Sequence, residues 1–252
     1  GYAVGRITSA HASDKMDVAE ETHTTEKADI AEQAFAGKNT PARATSDTPD
    51  INRINQAINS AKHGNLPAES VQPSWTPEAL RTWGNAKADV SVYLFSSLTC
   101  PHCMVFHEEV LPKLKETFVQ TGKVKLIYVD MPYDAKALTG TLLTRCISPA
   151  LYEKYITALF QNQTVWAYTS NPRKLMDSYA TALGADTKAM RACVSDMNLR
   201  KKVIEQRDNL STLYKVRGMP TVVVVKNGEA TKITGTDTPV ILAKIKSVLG
   251  EE

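Results

Sequence analysis

The chain has 252 residues, 42% of them hydrophobic and 7% aromatic, and its formal net charge is +3 at pH 7. This length and composition are typical of a soluble globular protein with one sizeable domain and appendages. The charge is too small and too dispersed to predict a nucleic-acid partner, and no stretch approaches the roughly 18 apolar residues of a membrane span.

Residues 1–47 are dominated by Ala, Thr, Ser, Asp, Glu and Lys and contain few large apolar side chains. Because such a segment buries too little surface to offset the entropy that it loses on folding, we expect it to be flexible or weakly helical. The first residue is Gly1 rather than methionine, and residues 8–12 resemble a small-residue cleavage site, although no apolar stretch precedes them. We therefore expect a processed or truncated N-terminal segment.

Residues 48–74 predict a helix followed by a linker. Thr48 can cap the helix, Pro49 occupies its first position, and Gly64 ends it. Its apolar stripe consists of three isoleucines spaced three and four residues apart, Ile51, Ile54 and Ile58. The stripe either packs on the chain's own domain or joins copies of the chain, and we expect an oligomerisation helix that makes a dimer or trimer.

One α/β domain is predicted over residues 75–252, entered through an exposed connector that contains several prolines. The run 90–96 is rich in β-branched and aromatic residues and predicts a buried strand. Apolar residues at helical spacing follow over 101–120, and the apolar run 124–130 predicts a second strand. A strand, helix and strand at this spacing form a parallel βαβ unit.

No strand is predicted between about residues 135 and 215, where helical patterns are broken by proline and glycine. Five helices are expected there, at 135–146, 149–161, 172–183, 187–194 and 199–215. The end of the chain is β again, because the apolar strand 221–225 is followed by the hairpin turn Asn227-Gly228 and a return strand through Ile233. A final helix from Thr238 to Leu249 completes the order βαβ, helical block, ββα.

The motif Cys100-Pro101-His102-Cys103 lies where the first predicted strand gives way to a helix. Pro101 suits the first helical position, where its missing N–H costs nothing. The free N–H groups and the dipole at this end favour an anion, which here would be a thiolate. A Cys-x-x-Cys pair in this position predicts a redox centre.

Two other interpretations of the pair are open. Half of a structural zinc site would need two more ligands at comparable spacing, but Cys146 and Cys193 form no second Cys-x-x-Cys. An inert structural disulfide is disfavoured because a two-residue loop between cysteines is strained and easily reduced. We therefore predict no metal site and no cofactor.

The order of elements and a late X-Pro before a ββα end resemble the thioredoxin fold, and the all-helical insertion resembles its DsbA branch. The flanks agree, with Phe95-Ser96 before the motif and Phe106-His107-Glu108-Glu109-Val110-Leu111-Pro112 after it. The resemblance covers residues from about 75 to 249 and leaves the first 70 or so as an N-terminal extension. It implies an α/β thioredoxin fold with a helical insertion at about 135–215, in a bacterial, periplasmic thiol:disulfide oxidoreductase.

A cis-proline before the third strand of this fold faces the active-site disulfide, and Pro220 matches that position. The resemblance implies that Met219, Pro220 and Thr221 bind an extended substrate segment by strand-like backbone pairing. An ordinary trans proline at a strand start is the alternative. The family's oxidases commonly have Val before this proline and its isomerase-type relatives often have Thr, so Met219 leaves oxidation and isomerisation both open.

Thiol chemistry assigns Cys100 as the sulfur that exchanges with substrate and Cys103 as the resolving thiol. Pro101 starts the helix, and His102 is expected to favour the Cys100 thiolate as a nearby donor or cation, unless it is a passive surface residue. His107 is expected to be solvated or to act as a cap. One of the two glutamates after it could accept a proton near Cys103.

The remaining cysteines, Cys146 and Cys193, lie near the two ends of the helical block. Relatives of the DsbA type that carry a cysteine pair in this insertion form a structural disulfide there. The resemblance therefore implies a Cys146–Cys193 bridge, and two buried free thiols are the alternative.

Three functions are compatible with these features. The preferred one is a homo-oligomeric oxidoreductase that forms and rearranges disulfides in exported proteins, with a membrane redox partner that resets the active site. A monomeric, dedicated disulfide oxidase is the second, and a non-catalytic module that binds extended peptides is the third. The motif around Cys100 counts against the third. The N-terminal extension favours the oligomer and Cys-Pro-His-Cys favours the monomeric oxidase, so we prefer both activities in one oligomer.

Overall fold

The computed structural model describes residues 75–251, in which helices cover both faces of a five-stranded sheet. The strands are β1 (Arg81–Gly84), β2 (Val90–Ser96), β3 (Val124–Asp130), β4 (Thr221–Lys226) and β5 (Glu229–Thr234). Their order across the sheet is β1-β3-β2-β4-β5. The β2–β3 pair is parallel and the other three pairs are antiparallel.

The helices follow the predicted order. They are α1 (residues 101–119), α2 (Ala135–Cys146), α3 (Pro149–Gln161), α4 (Gln163–Trp166), α5 (Pro172–Ala182), α6 (Thr187–Val194), α7 (Met197–Leu213) and α8 (Thr238–Leu249). Helix α1 is continuous but contains two π-helical turns, Phe106–Val110 and Lys115–Val119. The predicted thioredoxin fold with a helical insertion is confirmed, and the short α4 is an addition to it.

Side-chain caps explain why the insertion divides into helices at these points. Aspartate or asparagine side chains accept backbone N–H groups at the starts of four helices of the insertion: Asp134, Asn171, Asp186 and Asp196. Asp237 does the same for α8. Such caps satisfy N–H groups that have no partner within the helix. Proline occupies the first turn of α3 and α5, where it preorganises the backbone.

The sheet separates two cores of unequal size. The larger core lies between one face of the sheet and α1, α8 and the insertion; its strand residues include Val92, Leu94, Leu126, Tyr128 and Val224. The smaller core lies on the other face, where Phe95, Ile127, Val129 and Val223 pack with Leu210 and Tyr214. Because successive side chains of a strand point to opposite faces of the sheet, each strand contributes alternate residues to the two cores.

Strand β1 was not predicted from the sequence, in which the first predicted strand was 90–96. It pairs antiparallel with β3, whose residues lie more than 40 positions later in the chain. Trp83 of β1 packs against Trp75 and Tyr152, with ring centroids 5.1 and 5.9 Å away. The edge strand is therefore held by long-range pairing and aromatic contacts rather than by a strong local pattern.

Cys146 at the end of α2 and Cys193 in α6 form a disulfide, as predicted. The bridge lies beside a small buried cluster of Leu142, Leu199 and Val203. It connects two helices of the insertion, α2 and α6, and leaves Cys100 and Cys103 as free thiols.

We expect the double variant Cys146→Ala/Cys193→Ala to lose about 4 kcal/mol of unfolding free energy, because the bridge closes a long loop in the unfolded chain. Urea unfolding at fixed pH measures this loss. The rate of thiol exchange at Cys100 should stay unchanged, because the bridge does not contact that thiol. A loss below about 1 kcal/mol would show that the unfolded chain gains little freedom when the bridge is removed.

The predictions for residues 1–74 lie outside the described residues. They include the flexible segment 1–47 and the oligomerisation helix with Ile51, Ile54 and Ile58. Within residues 75–251, no helix is both long and apolar enough to cross a membrane.

Candidate active site

The pairing of β2 with β4 brings together the two predicted parts of the site, the Cys100–Cys103 motif and the loop with Pro220. Phe95 near the end of β2 pairs with Thr221 at the start of β4. The loop that leads from β2 to Cys100 therefore lies beside the loop that ends at Pro220. The Met219–Pro220 peptide bond is cis, as predicted, and the Thr221 hydroxyl donates to the Gly218 carbonyl at 2.8 Å.

The two thiols of the motif differ in exposure. Cys100 is the residue immediately before α1 and is 8% exposed, whereas Cys103 in its first turn is 0% exposed. When it is protonated, the Cys100 Sγ donates to the Met219 carbonyl at 3.7 Å. The Cys103 Sγ accepts the backbone N–H of Ser97 at 3.4 Å. Substrate can therefore reach the outer thiol, while the inner one is enclosed by its own domain.

The first turn of α1 favours a negative charge on the sulfur of Cys100 and not on that of Cys103. A hydrogen bond from the Cys103 thiol, with backbone N–H groups of Cys103 and His102, lowers the pKa of Cys100 from 9.0 to about 6, although burial opposes the shift. The positive charge of His102 contributes in the same direction. The same thiol–thiolate hydrogen bond raises the pKa of Cys103, and burial raises it further. At neutral pH the pair therefore holds one thiolate, on Cys100.

We expect alkylation of the reduced protein by iodoacetamide to rise with pH around a midpoint near 6, because only the thiolate reacts. The folded-state pKa lies below the ordinary value of 9.0, so the thiolate stabilises the reduced fold fully above pH 9. This stabilisation is lost as pH falls through about 6.

The variant Cys103→Ala should move the alkylation midpoint upward, because the Cys103 thiol is the largest cause of the low pKa. Cys103→Ser, which keeps a hydroxyl donor at the same place, should move it less. A wild-type midpoint near the ordinary cysteine value would contradict the assigned hydrogen bond.

Sequence reasoning missed two polar groups that hold the motif in place. The buried Gln163 side chain of α4 donates to the carbonyls of Leu98 and Cys100 at 2.7 and 3.0 Å. The Thr99 hydroxyl donates to the carboxylate of Asp134, which also caps α2. An aspartate directly before a predicted helix is a signal that could have identified the Asp134 cap. Nothing local indicated that Gln163 would contact residues more than 60 positions earlier.

The expectations for the middle of α1 need correction. His107 is neither solvated nor a cap, because its ring stacks on Phe160 at 4.6 Å and its Nε2 lies 3.1 Å from the Thr157 hydroxyl. Burial lowers the pKa of His107 to about 4. Glu108 and Glu109 are both exposed, so neither provides a buried carboxylate beside Cys103. In the part of the chain that the structure describes, no group of acidic, His or Cys residues is placed to hold a metal ion.

A protein-family model described as Thioredoxin matches residues 77–238. A Rickettsia felis relative whose name places it among protein-disulfide oxidoreductases is 26% identical over 142 residues, which are 56% of this chain and 51% of that protein. This chain therefore spans about half the length of the curated relatives that it matches first.

Two solved structures share the fold. The crystal structure of Wolbachia pipientis alpha-DsbA1 matches with a TM-score of 0.61 and 22% identity, covering 74% of this chain and 93% of that chain. The structure of oxidised BdbD from Bacillus subtilis matches with a TM-score of 0.58 and 20% identity, covering 68% and 93%. Both likenesses show that the sheet and its helical insertion form a DsbA-like fold.

Proposed function

The chain belongs to the thioredoxin family, and on that premise we propose that it is a thiol:disulfide oxidoreductase which forms and rearranges disulfide bonds in exported proteins. The observation that carries this proposal is that the pKa values of the two thiols of the motif are shifted in opposite directions. Cys100 has a pKa of about 6, whereas the pKa of the fully buried Cys103 is raised. A module that only binds peptides gains nothing from this difference.

The exchange proceeds in two balanced steps. In the oxidised protein, a substrate thiolate attacks the Cys100 sulfur, the Cys100–Cys103 bond breaks, and Cys103 leaves with the electron pair and takes up a proton. A second substrate thiolate then attacks the substrate sulfur of the mixed disulfide, and Cys100 leaves as a thiolate. Two substrate thiols have lost two electrons to the Cys100–Cys103 pair, and the substrate holds a new disulfide.

The low pKa of Cys100 favours oxidation of substrates over their reduction. A stabilised thiolate is a stabilised reduced form, and a stable reduced form makes the disulfide a stronger oxidant. The test is the reduction potential of the Cys100–Cys103 pair in the full chain, from equilibration with glutathione. A value well above that of thioredoxin, about −270 mV, supports the proposal, and a value near it overturns the oxidant assignment.

Rearrangement of wrong disulfides depends on the N-terminal helix. We propose that the stripe of Ile51, Ile54 and Ile58 joins two or three chains, so that several active sites surround one misfolded client. Light scattering of the full chain tests this, with Ile54→Lys/Ile58→Lys as the variant that should become monomeric. The variant should lose rearrangement of scrambled substrates and keep dithiol oxidation. A monomeric wild-type chain would leave the dedicated oxidase as the function.

The proposed compartment is the periplasm, and the proposed substrates are unfolded or misfolded exported proteins with cysteines. The Cys146–Cys193 bridge supports this, because structural disulfides persist in oxidising compartments. Each turnover leaves Cys100 and Cys103 reduced, so a membrane-bound redox partner that accepts two electrons is proposed to restore the disulfide. Its own exchange would pass through Cys100, the more accessible sulfur of the pair.

A further inference from the structure

The last strand of the sheet, β5, has one free edge in the part of the chain that the structure describes. It is the terminal strand of the sheet, and it pairs with β4 through the turn Asn227-Gly228. Lys226 and Glu229 close this two-residue turn as a hydrogen-bonded pair, and hydrogen-bonded pairs alternate along an antiparallel ladder. The backbone N–H and C=O groups of Ala230 and Lys232 therefore point away from β4. Both residues are exposed, and no other backbone group of the described chain binds them.

A groove of about 710 Å³ lies between this strand and the C-terminal half of α8. Strand β5 lines it with Glu229, Thr231 and Lys232, and α8 lines it with Lys244 and Ser247. We call it the β5–α8 groove. It offers ammonium and hydroxyl groups beside a free strand edge, which is a combination that suits an extended polypeptide with polar side chains.

The groove carries three positive charges and one negative charge, those of Lys226, Lys232, Lys244 and Glu229. The Lys226 ammonium donates to two carbonyls at the end of α8, at 3.0 Å each, and the Lys232 ammonium donates to the Lys215 carbonyl at 2.6 Å. A carbonyl holds an ammonium group in place without cancelling its charge. Lys244 is exposed and has no hydrogen bond or ion pair within the described residues. A ligand in the groove therefore meets positive charge that the protein leaves unneutralised.

The charge decides which kind of strand can pair with this edge. Lysines on an edge strand usually prevent neutral or basic strands from pairing with it. A second copy of β5 would bring Lys232 and Lys244 close to their own copies, and like charges across a strand pair are destabilising. An acidic strand reverses this effect. Carboxylates on alternate residues of such a strand would share one face and lie toward Lys244.

The β5–α8 groove and Cys100 lie at opposite ends of the sheet. Lys226 pairs with Val90 at the start of β2, whereas Thr221 pairs with Phe95 just before the motif. The two pairs are five residues apart along β4, or about 17 Å. A segment bound in the groove therefore leaves Cys100 open.

We propose that the β5–α8 groove is a docking site for an extended, acidic segment of a partner protein. The segment adds a strand beside β5, and its backbone pairs with the outward N–H and C=O groups of Ala230 and Lys232. Its carboxylates lie near the ammonium groups of Lys232 and Lys244. The inference concerns a surface distant from the motif and does not rest on the proposed exchange at Cys100.

The test measures the affinity of the full chain for a short dye-labelled peptide by fluorescence anisotropy. The acidic peptide alternates Glu with Val and Thr, and two control peptides have Gln or Lys in place of every Glu. We expect the acidic peptide to bind about ten-fold more tightly than the Gln peptide and to lose affinity as NaCl is added. The variant Lys232→Glu/Lys244→Glu should lose about ten-fold in affinity for the acidic peptide and gain affinity for the Lys peptide.

The variant Ala230→Pro tests strand pairing separately from charge. Proline removes the outward N–H of this residue, which the ladder with β4 does not use, so it blocks an added strand and keeps the β4–β5 pair. We expect Ala230→Pro to lose about ten-fold in affinity for the acidic peptide. Ala230→Val is the matched control, because it keeps the N–H and should keep the affinity. If the proline variant does not fold, an acidic peptide with alternate N-methylated residues gives the same answer from the ligand's side.

Equal affinity for the acidic and Gln peptides overturns the inference, as does undiminished binding to Ala230→Pro or of the N-methylated peptide. Self-association of the wild-type chain that Ala230→Pro abolishes would assign the edge to a second copy and overturn it as well. The rate of exchange with glutathione at Cys100 should be equal in all of these variants. Loss of that exchange in the wild-type protein would contradict the proposed function and leave the docking result standing.

Discussion

Replacing Cys100 with serine should abolish thiol:disulfide exchange completely. A serine hydroxyl does not ionise near neutral pH and forms no disulfide, so both steps of the exchange lose their reacting atom. Cys103 cannot substitute for it, because that thiol is fully buried and its pKa is raised. The rate of disulfide formation in a reduced two-cysteine peptide should equal the rate without protein.

Cys103→Ser should stop the exchange at a different point. The Cys100 thiolate of this variant still attacks a substrate disulfide, but no second thiol within the protein can release the mixed product. Non-reducing electrophoresis and mass spectrometry should therefore find substrate attached to Cys100. The adduct identifies clients directly when the variant is expressed in cells.

The pair Cys146→Ala/Cys193→Ala is the control for both changes, because it removes two cysteines and leaves the motif intact. If the Cys100→Ser variant still exchanged disulfides, or formed adducts on its Cys103, the roles of the two thiols would be reversed. Equal loss of activity in all three variants would point to misfolding rather than chemistry, and circular dichroism separates these cases.

The helices were predictable because their ends are determined locally. Asp134 caps α2, Pro149 starts α3 and Asp186 caps α6, and the predicted bounds of these three helices coincide with the structure. Helix α5 likewise begins at the predicted Pro172. The three inner strands, β2, β3 and β4, were predictable for a related reason. They are continuous apolar runs, which is how strands buried on both faces appear in a sequence.

The remaining features depend on contacts between distant parts of the chain. Strand β1 needs its pairing with β3, and the burial of His107 needs Phe160 and Thr157, which lie about 50 residues later. Gln163 contacts the motif only after the insertion has packed against α1. The reacting sulfurs were therefore visible in a local motif, whereas the groups that position them were not.

A large change in stability is also expected from a buried ion pair that no sequence pattern indicated. Arg145 at the end of α2 bonds the carboxylate of Asp130 at 2.7 Å, and their side chains are 1% and 4% exposed. A second buried guanidinium, that of Arg81, donates to the Arg145 carbonyl at 2.8 Å. Burial lowers the pKa of Arg81, and the charge of Arg145 acts in the same direction. The carboxylates of Asp130 and Glu78 oppose both effects, Asp130 more strongly than Glu78.

We expect Arg145→Met and Asp130→Asn each to lower the unfolding free energy by about 3–5 kcal/mol, because each leaves a buried charge without its partner. Asp130→Asn should cost more, because it removes the buried carboxylate that attracts both guanidinium groups, whereas Arg145→Met leaves Asp130 with Arg81. Urea unfolding of the oxidised proteins at one pH measures both.

The matched control is Lys123→Met, which breaks a pair of similar length, since Lys123 lies 2.9 Å from Glu251. These side chains are 39% and 36% exposed, so water already solvates both charges and the loss should stay below about 1 kcal/mol. Equal losses in Arg145→Met and Lys123→Met would show that the interior around Asp130 is hydrated. A larger loss in Arg145→Met than in Asp130→Asn would mean that the bonds of Arg145 to the Pro77 and Ala79 carbonyls, rather than its charge, join the insertion to the edge of the sheet.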